Sequence, residues 1–273
     1  MKKGQSPLFW VATVAILFVV IFPIFWIYLC SFKGPGDIYS LDPHKLFLFI
    51  PTLSNYNHLF TVTPFFHEIT NTAIVAVIST VLVMLVSLPA AYSFARWNTG
   101  AGNLLFVTIS TRMFPPVVAA IPFFILFKDL HLMDMQFTLT LLYLYFNMSF
   151  ATFLLFGFFR EIPAELEEAA MIDGYGRMEI FRKIIFPLIK PGAAITAVFC
   201  LVFSWNEFLY AFLFTSRNAR TLSLGISAFW GSIDIQWGPM ASGVALGILP
   251  TLLVAWFMQR YIIRGLTFGA VKG

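Results

Sequence analysis

The sequence predicts an all-α integral membrane protein with six transmembrane helices. Three observations carry this. Apolar residues fill 59% of the 273 positions and charged residues 11%, against about 45–50% and about 25% in a soluble domain. The mean hydropathy is +0.85. The apolar residues, 33 phenylalanines among them, gather into six stretches, and each approaches the roughly 20 residues that cross a bilayer core of about 30 Å at about 1.5 Å per residue. A soluble globular domain, a disordered chain and a collagen-like chain are excluded on the same grounds. Lipid offers the backbone no hydrogen-bond partners, so the spans are expected to be helices.

The first span is Leu8–Cys30. It follows Lys2 and Lys3 as a signal peptide would, but no small-residue cleavage site precedes Ser31-Phe32-Lys33. It reads as an uncleaved helix. The loop from Ser31 to Asn71 carries turn signals at Gly34-Pro35-Gly36, Asp42-Pro43 and Ile50-Pro51. The remaining spans are Thr72–Ala95, Leu104–Phe127, Phe137–Phe159, Ala193–Phe214 and Pro239–Met258. Prolines at 23, 89, 115, 116, 122 and 250 are expected to break the helical ladder locally. The chain thus divides into an N-terminal helix with its loop (1–71), a five-helix core (72–259) and a tail (260–273).

Basic residues set the orientation. Lys2, Lys3, Arg96, Arg160, Arg177, Arg182, Lys183, Lys190, Arg260, Arg264 and Lys272 fall on one side, and Lys33, Lys45, Lys128, Arg217 and Arg220 on the other. The richer side is expected to be cytoplasmic and holds both termini. The net charge of +4 is therefore assigned to cytoplasmic loops rather than to nucleic-acid binding.

Enzyme chemistry finds no support. The two cysteines, Cys30 and Cys200, lie in apolar stretches and form no disulfide or metal spacing. No Gly-x4-Gly-Lys-Ser/Thr loop is present, so the chain is not itself an ATPase. His67-Glu68 lacks the second His of a zinc-protease motif, because position 71 is Asn. His44, His58, His67 and His131 all lie outside the spans and read as solvated or structural. No cofactor or metal is expected in this chain.

The loop from Arg160 to Gly192 holds the densest charge. Pro163 suits a first helical turn. Glu161 and Glu165 complement the positive end of a helix dipole, and Gly174 stands where a left-handed C-cap belongs. The spacing predicts a helix of about three turns from Pro163 to Asp173, with Leu166, Ala169, Ala170 and Asp173 on one face. A second amphipathic piece follows, with Met178, Phe181, Ile184 and Leu188 on one face, interrupted by Pro187. The pattern by itself fits an ordinary helical pair on the membrane surface as well as a docking element.

Polar residues inside spans are expensive and turn toward the protein interior. In the fifth span Asn206, Glu207 and Tyr210 would share about a 100° arc of one helix. In the fourth, Thr140, Tyr143 and Asn147 form one stripe and Tyr145, Ser149 and Thr152 another. Tyr143, Asn147, Asn206, Glu207 and Tyr210 are the candidate solute-path residues, with helix–helix hydrogen bonding as the alternative role. Arg112, beside Pro115-Pro116, reads as a buried ion-pair partner, with Glu207 a candidate mate, or as a contact to an anionic solute.

Glu168-Ala169-Ala170, then Gly174, then Ile184 and Pro187, resembles the EAA loop of ABC-importer membrane subunits. Asp173-Gly174 points the resemblance toward the sugar-importing branch. Ser31-Phe32-Lys33 is similar to that family's Ser-Leu-Lys, and Asn55-Tyr56 to its Asn-Tyr. Trp205-Asn206-Glu207-Phe208 matches the family's fifth-span motif, and the ending Gly265 to Gly273 resembles the tail of the maltose-type second permease. Phe186 departs from the usual Leu of the loop, a volume change in an apolar slot.

The resemblance implies a type I ABC-importer permease fold with a cytoplasmic coupling helix. Glu167, Glu168, Ala169, Ala170, Asp173 and Gly174 would seat that helix against an ATPase. The implied partners are a second homologous permease, two ATPase subunits that bind ATP and Mg, and an extracytoplasmic solute-binding protein. That protein would touch segments 31–71 and 215–238, and the C-terminal tail would reach between the ATPases. The location would be a bacterial inner membrane, and the solute a sugar or polyol: a disaccharide, an oligosaccharide, a polyol or a glycerol phosphate derivative. An ion-coupled secondary carrier or a channel is the rival class. Only Arg112 and Glu207 offer intramembrane ionisable groups for it, and it needs no helix shaped for a soluble motor.

Overall fold

Apolar composition and self-satisfied backbone bonds give an almost wholly helical chain. The computed structural model describes residues 7–100, 102–231 and 234–268, with side chains through Gln259. In chain order the helices are α1 (Pro7–Ser31), α2 (Pro35–Ile38), α3 (Ser54–Val62), α4 (Phe65–Trp97), α5 (Asn103–Ser110), α6 (Pro116–Asp129) and α7 (Gln136–Glu161). They continue as α8 (Glu165–Ile172), α9 (Arg177–Ile180), α10 (Phe186–Trp205), α11 (Leu209–Phe214), α12 (Leu222–Ser227) and α13 (Trp237–Phe268). Among the described residues five helical stretches are long and apolar enough to cross a membrane: Pro7–Ser31, Phe65–Trp97, Gln136–Glu161, Arg177–Trp205 and Trp237–Gln259. Lys2, Lys3 and Lys272 of the charge count, and the last five residues of the tail, lie outside the described residues.

Two expected spans are not single helices. The third, Leu104–Phe127, is split into α5 and α6 around residues 111–115. Pro115 and Pro116 lack backbone N–H groups, and each disfavours helical geometry in the residue before it. The fifth, Ala193–Phe214, ends as α10 at Trp205 and restarts as α11 at Leu209. The shared arc expected for Asn206, Glu207 and Tyr210 therefore does not exist. Asn206 caps the end of α10 and turns its side chain back to Val202 O at 2.8 Å.

The second amphipathic piece also shifts. Phe181–Ile185 forms a π-helical turn between α9 and α10. This wider turn stands just before Pro187, which has no N–H to donate to the preceding turn of the continuous stretch Arg177–Trp205. The extra residue per turn moves the buried face from the expected Met178, Phe181, Ile184 and Leu188 to Ile180, Ile185 and Ile189.

The chain divides into two compact units, Met1–His67 with Leu224–Pro250, and Glu68–Ser223 with Thr251–Gly273. In the first, none of the apolar window of α1 is buried within the chain. Its outward rings and aliphatics therefore belong against lipid or another subunit. Only the foot of α1 is fixed. Asn55 of α3, itself buried, donates to Ser31 O at 2.9 Å and Lys33 O at 2.8 Å, and Ser31 Oγ meets Tyr56 Oη at 2.8 Å. The Ser-Phe-Lys and Asn-Tyr motifs thus form one junction. Gly238 of α13 packs onto the Asn55 amide so closely that a Cβ there would overlap it.

In the second unit α7 packs on α10, where Gly192 lets the Phe158 ring approach; a Cβ would lie 2.6 Å from that ring. One apolar cluster joins Val75, Phe127, Leu139, Leu142, Tyr143, Tyr210 and Phe214. Another joins Ala91, Tyr92, Leu155, Phe159, Ala170, Ile180 and Ile185. The segment after α11 is pinned by side chains from other elements. Asn71 donates to Asn218 O and Arg220 O, both at 2.9 Å, and Arg220 pairs with Glu68 at 2.9 Å.

Candidate functional site

α8 is two turns long, shorter than the predicted helix, with Pro163 in the preceding bend. Glu165, Glu167 and Glu168 stand in its first turn, where acidic side chains favour the helix dipole. Its end is a Schellman turn: Gly174 N–H donates to Met171 O at 3.1 Å and Tyr175 N–H to Ala170 O at 3.0 Å. Gly174 has φ +86°, the left-handed geometry that its position predicts.

The faces of α8 differ from the expected grouping. Leu166, Glu168, Ala169, Asp173 and Gly174 are exposed, but Ala170 is turned inward onto Tyr92 and Phe159. Glu167 is also inward and only 5% exposed. Its carboxylate accepts from the Arg96 guanidinium and, at 2.6 Å, from Tyr92 Oη. Arg96 also donates to Ile162 O at 2.9 Å. Tyr92 is walled by the rings of Trp97, Phe159 and Phe181, with centroids 5.0–5.3 Å away. Glu167 and Ala170 therefore hold α8 to the end of α4, and Glu168, Ala169 and Asp173 remain on the free side. Arg96 entered the sequence reading only as one charge in a count, and Tyr92 not at all. Nothing in a one-dimensional pattern pairs positions 75 and 71 residues apart with Glu167.

The polar residues of the spans fall into two groups. Tyr143 and Asn147 of α7 are fully buried, Tyr143 in the apolar cluster with Val75, Phe127 and Tyr210. Asn147 Nδ2 donates to Ser204 Oγ at 2.9 Å, which meets Ser79 Oγ at 3.2 Å. This network links α4, α7 and α10, so Asn147 makes helix–helix bonds. Thr140, Ser149 and Thr152 are buried as well. The second group lies at the α10–α11 break. The Glu207 carboxylate accepts from Tyr210 N–H at 3.0 Å and Ala211 N–H at 3.2 Å, which caps α11, while Ser223 Oγ donates to Glu207 O at 2.7 Å. Glu207 forms no ion pair with Arg112, the pairing the sequence left open, and Arg112 is exposed rather than buried. Asn206 is exposed. Tyr210 is buried, with its hydroxyl 3.4 Å from Pro116 O.

Asp134 is a residue that the sequence did not single out. Left-handed at φ +58°, it sits just before α7. Its carboxylate accepts from the consecutive N–H groups of Ser216, Arg217, Asn218 and Ala219 at 2.9–3.2 Å. Partial burial pushes its pKa up, but the four amides outweigh that and hold it at about 2. Among the described residues no group of His, Cys, Asp and Glu is placed to hold a metal.

Known proteins share this sequence and fold. The chain is 37% identical over 99% of its length to the probable ABC transporter permease protein y4oR of Sinorhizobium fredii, covering 96% of that protein. It is 34% identical over 98% to the sulfoquinovosyl glycerol transport system permease protein SmoH of Agrobacterium fabrum, covering 94% of it. The trehalose transport system permease protein SugB of Mycobacterium tuberculosis is 33% identical, with 92% of each chain covered. In fold, it superposes on a chain of a bacterial ABC transporter involved in the import of the acidic polysaccharide alginate, with TM-score 0.79, 21% identity and coverage of 95% and 99%. Residues 85–267 match the family described as the binding-protein-dependent transport system inner membrane component, a stretch that contains α8, the Asn147–Ser204 bond and the Glu207 cap. The chain belongs to this family and is the membrane-spanning permease component of a binding-protein-dependent ABC importer.

Proposed function

We propose that this chain is one of two homologous permease halves of an ATP-driven saccharide importer, and that α8 is its coupling helix. The observation that carries the proposal is the two-sided character of α8. Its inner face is locked to α4 by Glu167 and Ala170, and its outer face offers Glu168, Ala169 and Asp173 to a partner. A rigid peg anchored this way passes a push on its outer face to α4. The partner is an ATPase that holds ATP and Mg. Small Ala169 lets it seat closely, and the exposed acids complement basic residues of its cleft.

Relatives named for sulfoquinovosyl glycerol and trehalose support a saccharide as the solute. A solved neighbour in fold is a transporter in complex with an alginate pentasaccharide-bound periplasmic protein, which supports delivery by such a protein here. The basic-residue bias supports an orientation with α8 and both chain ends in the cytoplasm. The Asn206–Tyr210 break would then lie within the membrane, where exposed Asn206 is available to the solute path.

The test is affinity capture of this chain from its native membrane. An ATPase and a second permease are expected to copurify, and Glu168→Lys is expected to release the ATPase while the permease pair stays in the membrane. Transport by the isolated chain driven by an ion gradient would overturn the proposal.

A further inference from the structure

Arg112 stands in the break between α5 and α6, inside an apolar segment. A charge there is costly unless something answers it. The guanidinium lies over three rings, with centroids at 4.8 Å for Phe146, 5.2 Å for Phe150 and 5.2 Å for Phe203. One N–H reaches Phe146 O at 3.3 Å. The ion pairs among the described residues do not include it. Glu207, the acid within the neighbouring segment, is committed to capping α11.

Aromatic faces hold a cation and fix its plane, but they carry no countercharge. The five N–H donors of a guanidinium lie along its edge, and only one finds a partner here. Among the described residues the side chain is therefore oriented without a countercharge. The cleft beside it, lined by Thr111, Phe114, Tyr145, Ser149 and Tyr210, is small, about 20 Å³, and takes the tip of a polar group rather than a sugar ring. Thr111 and Ser149 share a hydrogen bond at its wall. Arg112 stands between two helix ends, two residues past the negative pole of α5 and four before the positive pole of α6, whose contributions oppose each other.

We propose that Arg112 and this cleft form a subsite for an acidic group, a carboxylate or sulfonate, on the saccharide that the transporter carries. The inference rests on the saccharide-permease reading and narrows its substrate class. A guanidinium edge can meet two oxygens of such a group or two vicinal hydroxyls of a neutral sugar, but only the acidic group adds a full opposite charge to the contact.

The test uses the assembled transporter with its partner permease and ATPase subunits in phosphatidylcholine nanodiscs. Binding of digalacturonate and of maltose is followed by saturation-transfer NMR. Digalacturonate is expected to bind about tenfold more tightly than maltose, the scale of one charge-assisted contact. Arg112→Gln is expected to bring it down to the maltose level. Arg112→Lys, which keeps the charge if the Gln variant fails to assemble, should lose part of the margin because an ammonium cannot grip two oxygens. No preference in the wild type, or an unchanged margin in either variant, would overturn the subsite. So would loss of the margin in discs containing phosphatidylglycerol, which assigns the guanidinium to a lipid phosphate. ATP hydrolysis stimulated by the binding protein is measured on the same sample. Stimulated hydrolysis without a digalacturonate preference defeats the subsite alone, whereas unstimulated hydrolysis defeats the permease reading beneath it.

Discussion

Arg96, at the end of α4, and Glu167, in the first turn of α8, form a buried ion pair that Tyr92 completes from the other side of the carboxylate. Side-chain exposures of 11% and 7% keep it largely out of solvent. Removing one partner leaves a desolvated charge, which costs about 3–5 kcal/mol. Arg96→Ala and Glu167→Ala are each expected to lower the thermal midpoint of the purified assembly and its uptake. The double variant should be no worse than the poorer single one. Additive losses in that cycle would show that the two residues act separately.

Gly174 tests whether the outer face of α8 meets another subunit. Among the described residues nothing lies within 4 Å of the position a Cβ would take. The cost of Gly174→Ala to the chain itself is therefore only that of a left-handed alanine, about 1 kcal/mol. Uptake is expected to fall well beyond what that strain explains, and Gly174→Val should abolish it while the protein still inserts. Normal uptake at normal membrane levels in both variants would contradict the seating of α8 in an ATPase.

The Asp134 clamp predicts a pH window for the 216–219 loop. Its folded pKa of about 2 lies below the ordinary value of 3.8. The carboxylate's contribution is thus fully present above pH ~4 and is lost as pH falls toward 2. Limited proteolysis is expected to leave residues 216–219 intact from neutral pH down to about 4. Asp134→Asn is expected to expose them at neutral pH, at a cost of about 2 kcal/mol for lost charge-assisted bonds. Equal protection in the variant would show that Asn71 and the Arg220–Glu68 pair suffice.

Gly238→Ala probes the junction of the Ser-Phe-Lys and Asn-Tyr motifs. The new methyl would displace the Asn55 amide from Ser31 O and Lys33 O. Overpacking with loss of buried bonds costs about 1–3 kcal/mol. A lowered thermal midpoint is expected, and Asn55→Ala in the same background should add little. Two independent, summed losses would argue that Gly238 and Asn55 do not meet.

The sequence by itself determined the class of this protein. Composition and apolar spans of about 20 residues point to a helical membrane chain, because a backbone in lipid must bond to itself and a spanning strand needs only about 10 residues. The loop motif fixed the place of α8 and the left-handed turn at Gly174, because both are local consequences of proline, glycine and first-turn acids. The breaks at 111–115 and 206–208 were only half legible: prolines announced the first, while Glu207 looked like one more position on a continuous helix. What the tertiary structure alone decided was direction. It turned Glu167 and Ala170 inward, Asn147 into a helix–helix network and Arg112 onto three rings, and it wrapped a loop around Asp134. Such choices depend on partners 34 to 91 positions away, and helical periodicity says which residues share a face but not what that face will meet.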